Sequence, residues 1–239
     1  MTVLRRPVLT ERPPTWGTAE DLPAARRYLA WITELLAPHL GDRPLLLAAG
    51  SGEYAAALAA DGAQLTVSEQ DEEHLARLRT RFAGRDDIRV ARVDLDTTTG
   101  EYSAVVALNM LEHVDDDERL LRRLRTLVVP GGTVVVMVPA FRSALSSFER
   151  RLGHRRRYRM RELVAEAGRA GLLVRDVRYF NALGLIAWML GVRVLRLTPK
   201  PGPMLTAWDR LGVPLIQWTE TRWPPPFGKE LFLLASTPA

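Results

Sequence analysis

The side chains that could do chemistry in this chain sit directly behind apolar runs. Leu45-Leu46-Leu47 leads into Ala48-Ala49-Gly50-Ser51-Gly52, and residues 64–68 lead to Glu69. Residues 88–93 lead to Asp94 and Leu95, and residues 102–108 to Asn109, Met110, Leu111, Glu112 and His113. A Gly-x-Gly turn lets the backbone bend sharply and lets a ligand approach, because no Cβ stands in the way. Glu69 lies 17 residues after Gly52. A carboxylate at the end of a second strand can accept hydrogen bonds from the hydroxyls of a ribose. A solvated strand-end acid is the plainer reading of Glu69. Asp94 can accept the exocyclic amine of an adenine, or simply turn the chain before Asp96.

Phosphate binding finds no support. There is no Gly-Lys-Ser/Thr, and the loop lacks the third glycine of a dinucleotide fingerprint. A nucleoside without phosphates fits better, which points to S-adenosylmethionine held by Ala48, Gly50, Gly52, Glu69, Asp94, Leu95 and Asn109.

Alternating elements must position these residues. Helical spacing of Leu22, Leu29, Ile32, Leu35 and Leu36 predicts a helix over residues 23–40, after a Pro-rich arm at residues 1–22. Strands are expected at 45–48, 64–68, 88–93, 102–108 and 133–138, with helices at 53–60, 72–82 and 115–127 between them. The run 102–108 is almost continuously apolar, as in a parallel strand buried on both faces. Pro130-Gly131-Gly132 reads as a turn. The pattern demands an α/β fold with a doubly wound, mostly parallel seven-stranded sheet, whose ligand lies at the carboxyl ends of the strands.

Beyond Pro139 the alternation pauses. A polar insertion with a short helix at 145–152, a helix at 161–170 and a sixth strand at 172–180 are expected. Next come an apolar segment at 182–197, a turn at 199–203, a helix at 204–217, a rigid connector at 223–228 and a last strand at 230–235 beside the sixth. One domain over residues 1–239 is expected: arm and helix (1–43), cofactor half (44–139), and a half that caps the substrate and completes the sheet (140–239).

Composition narrows the class. The chain has 239 residues, 47% of them hydrophobic and 26% charged, as in an ordinary globular protein. It has no cysteine, which excludes disulfides and thiolate metal sites, and no metal is expected. The net charge is +5, nearly all of it arginine, with Lys200 and Lys229 the only lysines. The arginines mostly alternate with acids, so nucleic acid is not an expected partner. Arg5 and Arg6 precede no apolar run, so no secretory signal is read and a cytoplasmic location is expected. Residues 182–197 are too short and too charged to span a membrane, so stable insertion is not expected. Oligomeric state is not legible.

Residues 28–139 resemble a class I S-adenosylmethionine-dependent methyltransferase. Asn109-Met110-Leu111-Glu112-His113-Val114 is similar to that superfamily's motif after the fourth strand, and residues 127–132 to its "L-x-PGG" turn. Residues 149–158 resemble the "D-x-x-x-GH-x-RRY" segment of a bacterial branch met beside cell-envelope and natural-product genes. Tyr179-Phe180-Asn181 and Pro226-Phe227-Gly228 match the same branch. The resemblance implies methyl transfer from S-adenosylmethionine to a small molecule, with S-adenosylhomocysteine as product. The acceptor is expected to be an oxygen of a hydrophobic or anionic natural-product or cell-envelope intermediate. Such transfer needs alignment, exclusion of water and, for a hydroxyl acceptor, a base. His113 and His154 are the candidates for that base, although His113 reads equally as a structural residue. Tyr28, Arg156, Arg157, Tyr158 and Asn181 are expected to bind substrate. Arg156 and Arg157 read equally as partners of cap acids such as Glu149 and Glu162.

The chain departs from the superfamily pattern at Leu46 and Ala48, where an acid and a glycine are usual, at Ser103 for aspartate, and at Glu149 for aspartate. These departures support a rival: a cyclase, isomerase or non-catalytic partner built on the same fold.

Overall fold

A computed structural model describes residues 25–60, 62, 64–198 and 202–238. The arm expected over residues 1–22 and part of the turn at 199–203 lie outside the described residues. In chain order the elements are α1 (Arg26–Leu36), β1 (Pro44–Leu47), α2 (Glu53–Ala60), β2 (Leu65–Ser68), α3 (Glu72–Arg81), β3 (Ile88–Ala91) and β4 (Tyr102–Leu108). They continue with α4 (Asp117–Leu127), β5 (Val128–Pro139), α5 (Ser147–Arg151), α6 (Met160–Arg169), β6 (Leu173–Phe180) and α7 (Ala182–Trp188). The last are α8 (Pro203–Ala207), α9 (Val213–Arg222) and β7 (Glu230–Ser236).

The seven strands form one sheet in the order β3-β2-β1-β4-β5-β7-β6. Strands β1 to β5 pair in parallel, and β7 runs antiparallel between β5 and β6. The last strand lies beside the sixth as expected, and it also separates the sixth from the fifth. Strand order reverses between β1 and β4, so the cleft opens where their carboxyl ends diverge.

Period-two alternation sorts the core into two layers. Val105 and Ala107 of β4 face one layer with Leu120, Leu121, Leu124 and Leu127 of α4 and Leu163 of α6. Val106 and Leu108 face the other, with Trp31, Ile32 and Leu36 of α1, Leu58 of α2 and Ile216 of α9. Each fully buried leucine of α4 contributes about 1.5–3 kcal/mol by leaving water. Caps fix where the helices begin: Asp71 accepts from His74 N at 2.9 Å, and Asp116 from Arg119 N at 2.8 Å.

The Pro130-Gly131-Gly132 stretch is not a turn between elements but a bulge within β5. Tyr102 pairs with Val128 and Ala104 with Thr133, so the extra residues loop out. A Cβ on Gly132 would lie 2.8 Å from Val129 O and 3.0 Å from Ser103 O. The 204–217 helix is in fact α8, a π-helical stretch at Trp208–Gly212, and α9. Pro214 falls in the first turn of α9 and lacks the N–H for a regular bond, which gives the local widening a cause.

Candidate active site at the carboxyl rim of the sheet

Backbone geometry marks the site before any side chain does. Among the described residues, Ala48 (φ 49°), Asn109 (φ 49°), Phe141 (φ 62°) and Asn181 (φ 62°) have a positive φ, as does Arg196 (φ 55°) on the helical cap. The first four come directly after the carboxyl ends of β1, β4, β5 and β6, or lie one residue beyond. Such backbone costs about 1–3 kcal/mol per residue and persists where the surroundings enforce it, often at functional sites.

On the cofactor side, Glu69 is 8% exposed and closes the loop after β1. Its Oε2 accepts from Gly50 N at 3.1 Å and its Oε1 from Gln70 N at 2.8 Å. A carboxylate has about four lone-pair sites, so two remain for ribose hydroxyls. Ala48 keeps the backbone that a glycine would take freely, so the loop retains its path despite the substitution. The donor set and loop shape therefore fit S-adenosylmethionine. Asn109 comes after the neighbouring strand and donates its N–H to Met137 O at 2.9 Å. Asp94 is exposed and accepts from Asp96 N at 2.8 Å, as in the turn reading. Leu95 packs against the core.

Gly52 also has a packing reason to lack a side chain: a Cβ there would lie 2.8 Å from both Leu78 Cδ2 and Phe82 Cε2. Two departures also change meaning. Leu46 is fully buried in the layer against α1 and α2. Ser103 lies near the amino end of β4, where its hydroxyl accepts from Arg43 N and donates to Leu40 O at 2.7 Å. Ser103 sits at the opposite end of the strand from the cleft and carries no weight against cofactor binding.

On the acceptor side, the chain brings His113 and His154 together, ring centroids 4.7 Å apart and edge to face. A short 3₁₀ turn, Leu111–His113, presents His113 directly after β4. His154 is delivered by the segment after α5, where Arg155 N donates to Glu112 O at 2.8 Å. Burial, and then the neighbouring His154, lower the His113 pKa to about 4, so His113 is neutral near pH 7. His154 Nδ1 stands 3.5 Å from Glu149 Oε1. Burial would raise the Glu149 pKa, but His154, Arg157 and Ser146 together outweigh it and lower it to about 2.

Unpaired buried polar atoms gather at the same rim. Both oxygens of Glu112, His154 Nδ1, Asn181 Oδ1 and Glu230 Oε2 have no hydrogen-bond partner among the described residues. Burial holds the Glu112 carboxyl well above the usual carboxylate range. Burial, then Glu230, raise the hydroxyl pKa of Tyr28 and Tyr54. Buried polar atoms without partners are costly, so a cluster of them points to a missing ligand. Glu112, His113 and His154 have ligand-type atoms within 4.8 Å of one another, a group that could hold a cation although no metal is expected from the sequence.

The expected substrate clamp is mostly otherwise employed. Arg157 is 1% exposed; its Nε donates to Glu149 at 2.7 Å and its Nη1 to Ala140 O at 2.7 Å. Tyr158 is buried, its hydroxyl 3.0 Å from Leu111 O and 3.1 Å from Asp117 Oδ2. Arg156 pairs with Asp117 at 3.0 Å. These three side chains bind the insertion to the sheet and to α4, so Arg157 and Tyr158 are removed from the substrate role. The Glu149 departure has a use: its Oε2 caps α5 through Ser146 while its Oε1 meets Arg157. An open depression of about 480 Å³ lies on this segment, lined by Leu145 and Arg142, Arg150, Arg155, Arg156 and Arg157. Tyr28 stacks edge-on to Trp31, and its N–H, like that of Arg27, is fixed by Asp209. Sequence reasoning missed Glu230 and Tyr54, whose strand-end and helix-start positions carry no motif. It placed Glu112 at the rim, beside His113 in the motif after the fourth strand, but gave it no role.

The family described as "Methyltransferase domain" matches residues 45–134. A ubiquinone biosynthesis O-methyltransferase of Aeromonas salmonicida (strain A449) is 34% identical over 113 residues, 45% of this chain and 48% of that protein. A demethylmenaquinone methyltransferase of Clavibacter sepedonicus is 35% identical over 107 residues, 44% of each. The match thus spans about half the length of these relatives. Among solved structures, the 4+2 cyclase SpnF superposes with a TM-score of 0.57 at 19% identity, over 88% of this chain and 82% of that one, which is a likeness of fold. Residues 45–134, which carry the first strands of the sheet and the Glu69-anchored loop, are thus similar to a methyltransferase domain.

Proposed function

We propose that this protein methylates an oxygen of a small, largely apolar acceptor, using S-adenosylmethionine. The observation that carries the reading is the rim. A nucleoside loop after β1 stands beside a buried His113–His154 pair after β4, and the unpaired polar atoms of Glu112, Asn181 and Glu230 lie along the same edge.

Glu69 and the backbone of 48–50 would hold the adenosyl end, with Asn109 on the adjoining strand. The cofactor, when bound, supplies an electrophilic methyl group on a sulfonium and leaves as S-adenosylhomocysteine. The protein must then bring the acceptor oxygen in line and take its proton. His113 is a weak acceptor of that proton, being held neutral by burial. His154 is better placed, because a positive charge on its ring is met by the Glu149 carboxylate 3.5 Å away. Tyr28, Tyr54, Asn181 and Glu230 would orient the polar end of the acceptor. An anionic group on it would find Arg142 and Arg150 in the arginine-lined depression rather than Arg157. The ubiquinone biosynthesis O-methyltransferase among the relatives supports an oxygen acceptor, and both quinone-related names support an apolar one.

The second reading is a protein of the same fold that has lost the cofactor and no longer transfers methyl: a cyclase, isomerase or non-catalytic partner. Its support is Leu46, which stands in the core where an acid would help hold the methionine end. Calorimetric titration with S-adenosylmethionine separates the readings first: no heat and no thermal shift at millimolar cofactor would sink methyl transfer. If it binds, His154→Ala should lower the rate with a hydroxylated quinone analogue by about 10²–10⁴-fold while cofactor affinity holds.

A further inference from the structure

Apolar side chains on the helical cap face solvent in a pattern that no buried surface explains. Among the described residues, every strongly exposed large apolar side chain except Leu173 lies between Leu183 and Phe227. They keep helical spacing. Leu183, Ile186, Leu190 and Val194 recur every three or four residues along α7 and its π-helical continuation. Leu211, Leu215 and Trp218 do the same on the π turn and α9. Residues at this spacing share one helix face.

The charges on these helices are one-sided. Arg193, Arg196, Arg210 and Arg222 are exposed, and none has a carboxylate partner among the described residues. The two acids are turned inward: Asp209 accepts from Arg27 N and Tyr28 N, and Glu220 from Asn181 N and Ala182 N. Arg222 lies over the Trp218 ring at 4.5 Å, a pairing that keeps a cation at the edge of an apolar face. Exposed Trp218 and Trp223 flank the end of α9. No helix of the described residues is long and apolar enough to cross a membrane.

We propose that the faces of α7 and α9 with their π-helical neighbours seat the protein on an anionic lipid bilayer. Apolar stripes enter the headgroup boundary, arginines pair with lipid phosphates, and tryptophans lie at the interface. A second copy of the chain is the poorer occupant, because two such faces would oppose unpaired arginines. Bilayer binding stands on these helices alone; that the acceptor is drawn from the bilayer rests on the methyl-transfer reading.

The experiment is co-sedimentation of the full chain with vesicles of phosphatidylcholine, with and without an equal share of phosphatidylglycerol. The expected result is sedimentation with the anionic vesicles, falling as salt rises. Arg193→Gln, Arg196→Gln and Arg210→Gln should each weaken it roughly fivefold. Leu190→Ser with Leu211→Ser should weaken it further, while cofactor binding and melting temperature hold. Absence of sedimentation at low salt overturns the proposal. If the chain is then a dimer by light scattering, a second copy covers the face; if it is a monomer, residues 1–24 cover it or nothing does. Equal binding to neutral vesicles, or binding unmoved by either set of variants, overturns it as well.

Discussion

At the carboxyl rim of the sheet, polar side chains are buried; on α7 and α9, apolar side chains are exposed. Both break the ordinary rule of burial, and in opposite directions. The rim accepts the cost of desolvating Glu112, Glu149 and Arg157 because a network or a ligand can answer each charge. The cap leaves leucines and tryptophans in water, where nothing among the described residues answers them. The first arrangement is stabilised from within; the second is completed from outside. Mutations should therefore act on stability at the rim and on association at the cap.

The largest effect is expected at Arg157. It joins Glu149, Ala140 and the face of Trp188, 5.4 Å from the ring. Arg157→Met leaves the Glu149 carboxylate buried beside one fewer cation. A loss of about 3–5 kcal/mol of stability is expected, read by denaturant unfolding. A loss below about 1 kcal/mol, the scale of an exposed pair, would return Arg157 to the substrate-clamp reading.

Next is Glu69. Its carboxylate both anchors Gly50 and offers spare lone pairs. Glu69→Ala should weaken S-adenosylmethionine about 10–100-fold by calorimetry, the scale of hydrogen bonds to a charged group. An unchanged affinity would make Glu69 a loop anchor only.

The two regions are also unequally legible in the sequence. Parallel strands such as β4 are buried on both faces, so their apolar runs are visible in the chain, and the residues directly behind each run fall at the rim. Glu69 and His113 are found this way. The pairing of His113 with His154 needs the motif resemblance, since a period or a spacing says nothing of residues 41 apart in the chain. For Arg157 the sequence leaves a substrate and Glu149 equally open, because an arginine cluster looks alike whether it meets a substrate or its own acids; only burial separates them. Glu230 is invisible, because the charge of a strand's first residue has no pattern. On the cap, helical spacing is legible, but whether the apolar stripe faces inward or outward is not.

A smaller effect is expected at Ala48. Its φ of 49° costs an alanine about 1–2 kcal/mol that a glycine does not meet. Glycine loses more chain entropy on folding, about 0.5–1 kcal/mol. Ala48→Gly should therefore stabilise the protein by about 0.5–1 kcal/mol and leave the Glu69–Gly50 bond in place. Thermal unfolding checks the first, cofactor calorimetry the second. Destabilisation would show that the loop does not hold this backbone in solution.

The smallest effect on stability is expected where the apolar exposure is greatest. Leu211 is 76% exposed and Trp218 52%. Replacing either by serine removes little that folding has buried, so unfolding free energy should move by no more than about 0.5 kcal/mol. The same change in the core, Leu121→Ala for example, removes a fully buried side chain of α4 and should cost about 2–5 kcal/mol. The contrast is the test. If Leu211→Ser or Trp218→Ser destabilised the chain as a core substitution does, those side chains would be covered by the chain itself. The cap would then be a second core, and the difference between rim and cap would vanish.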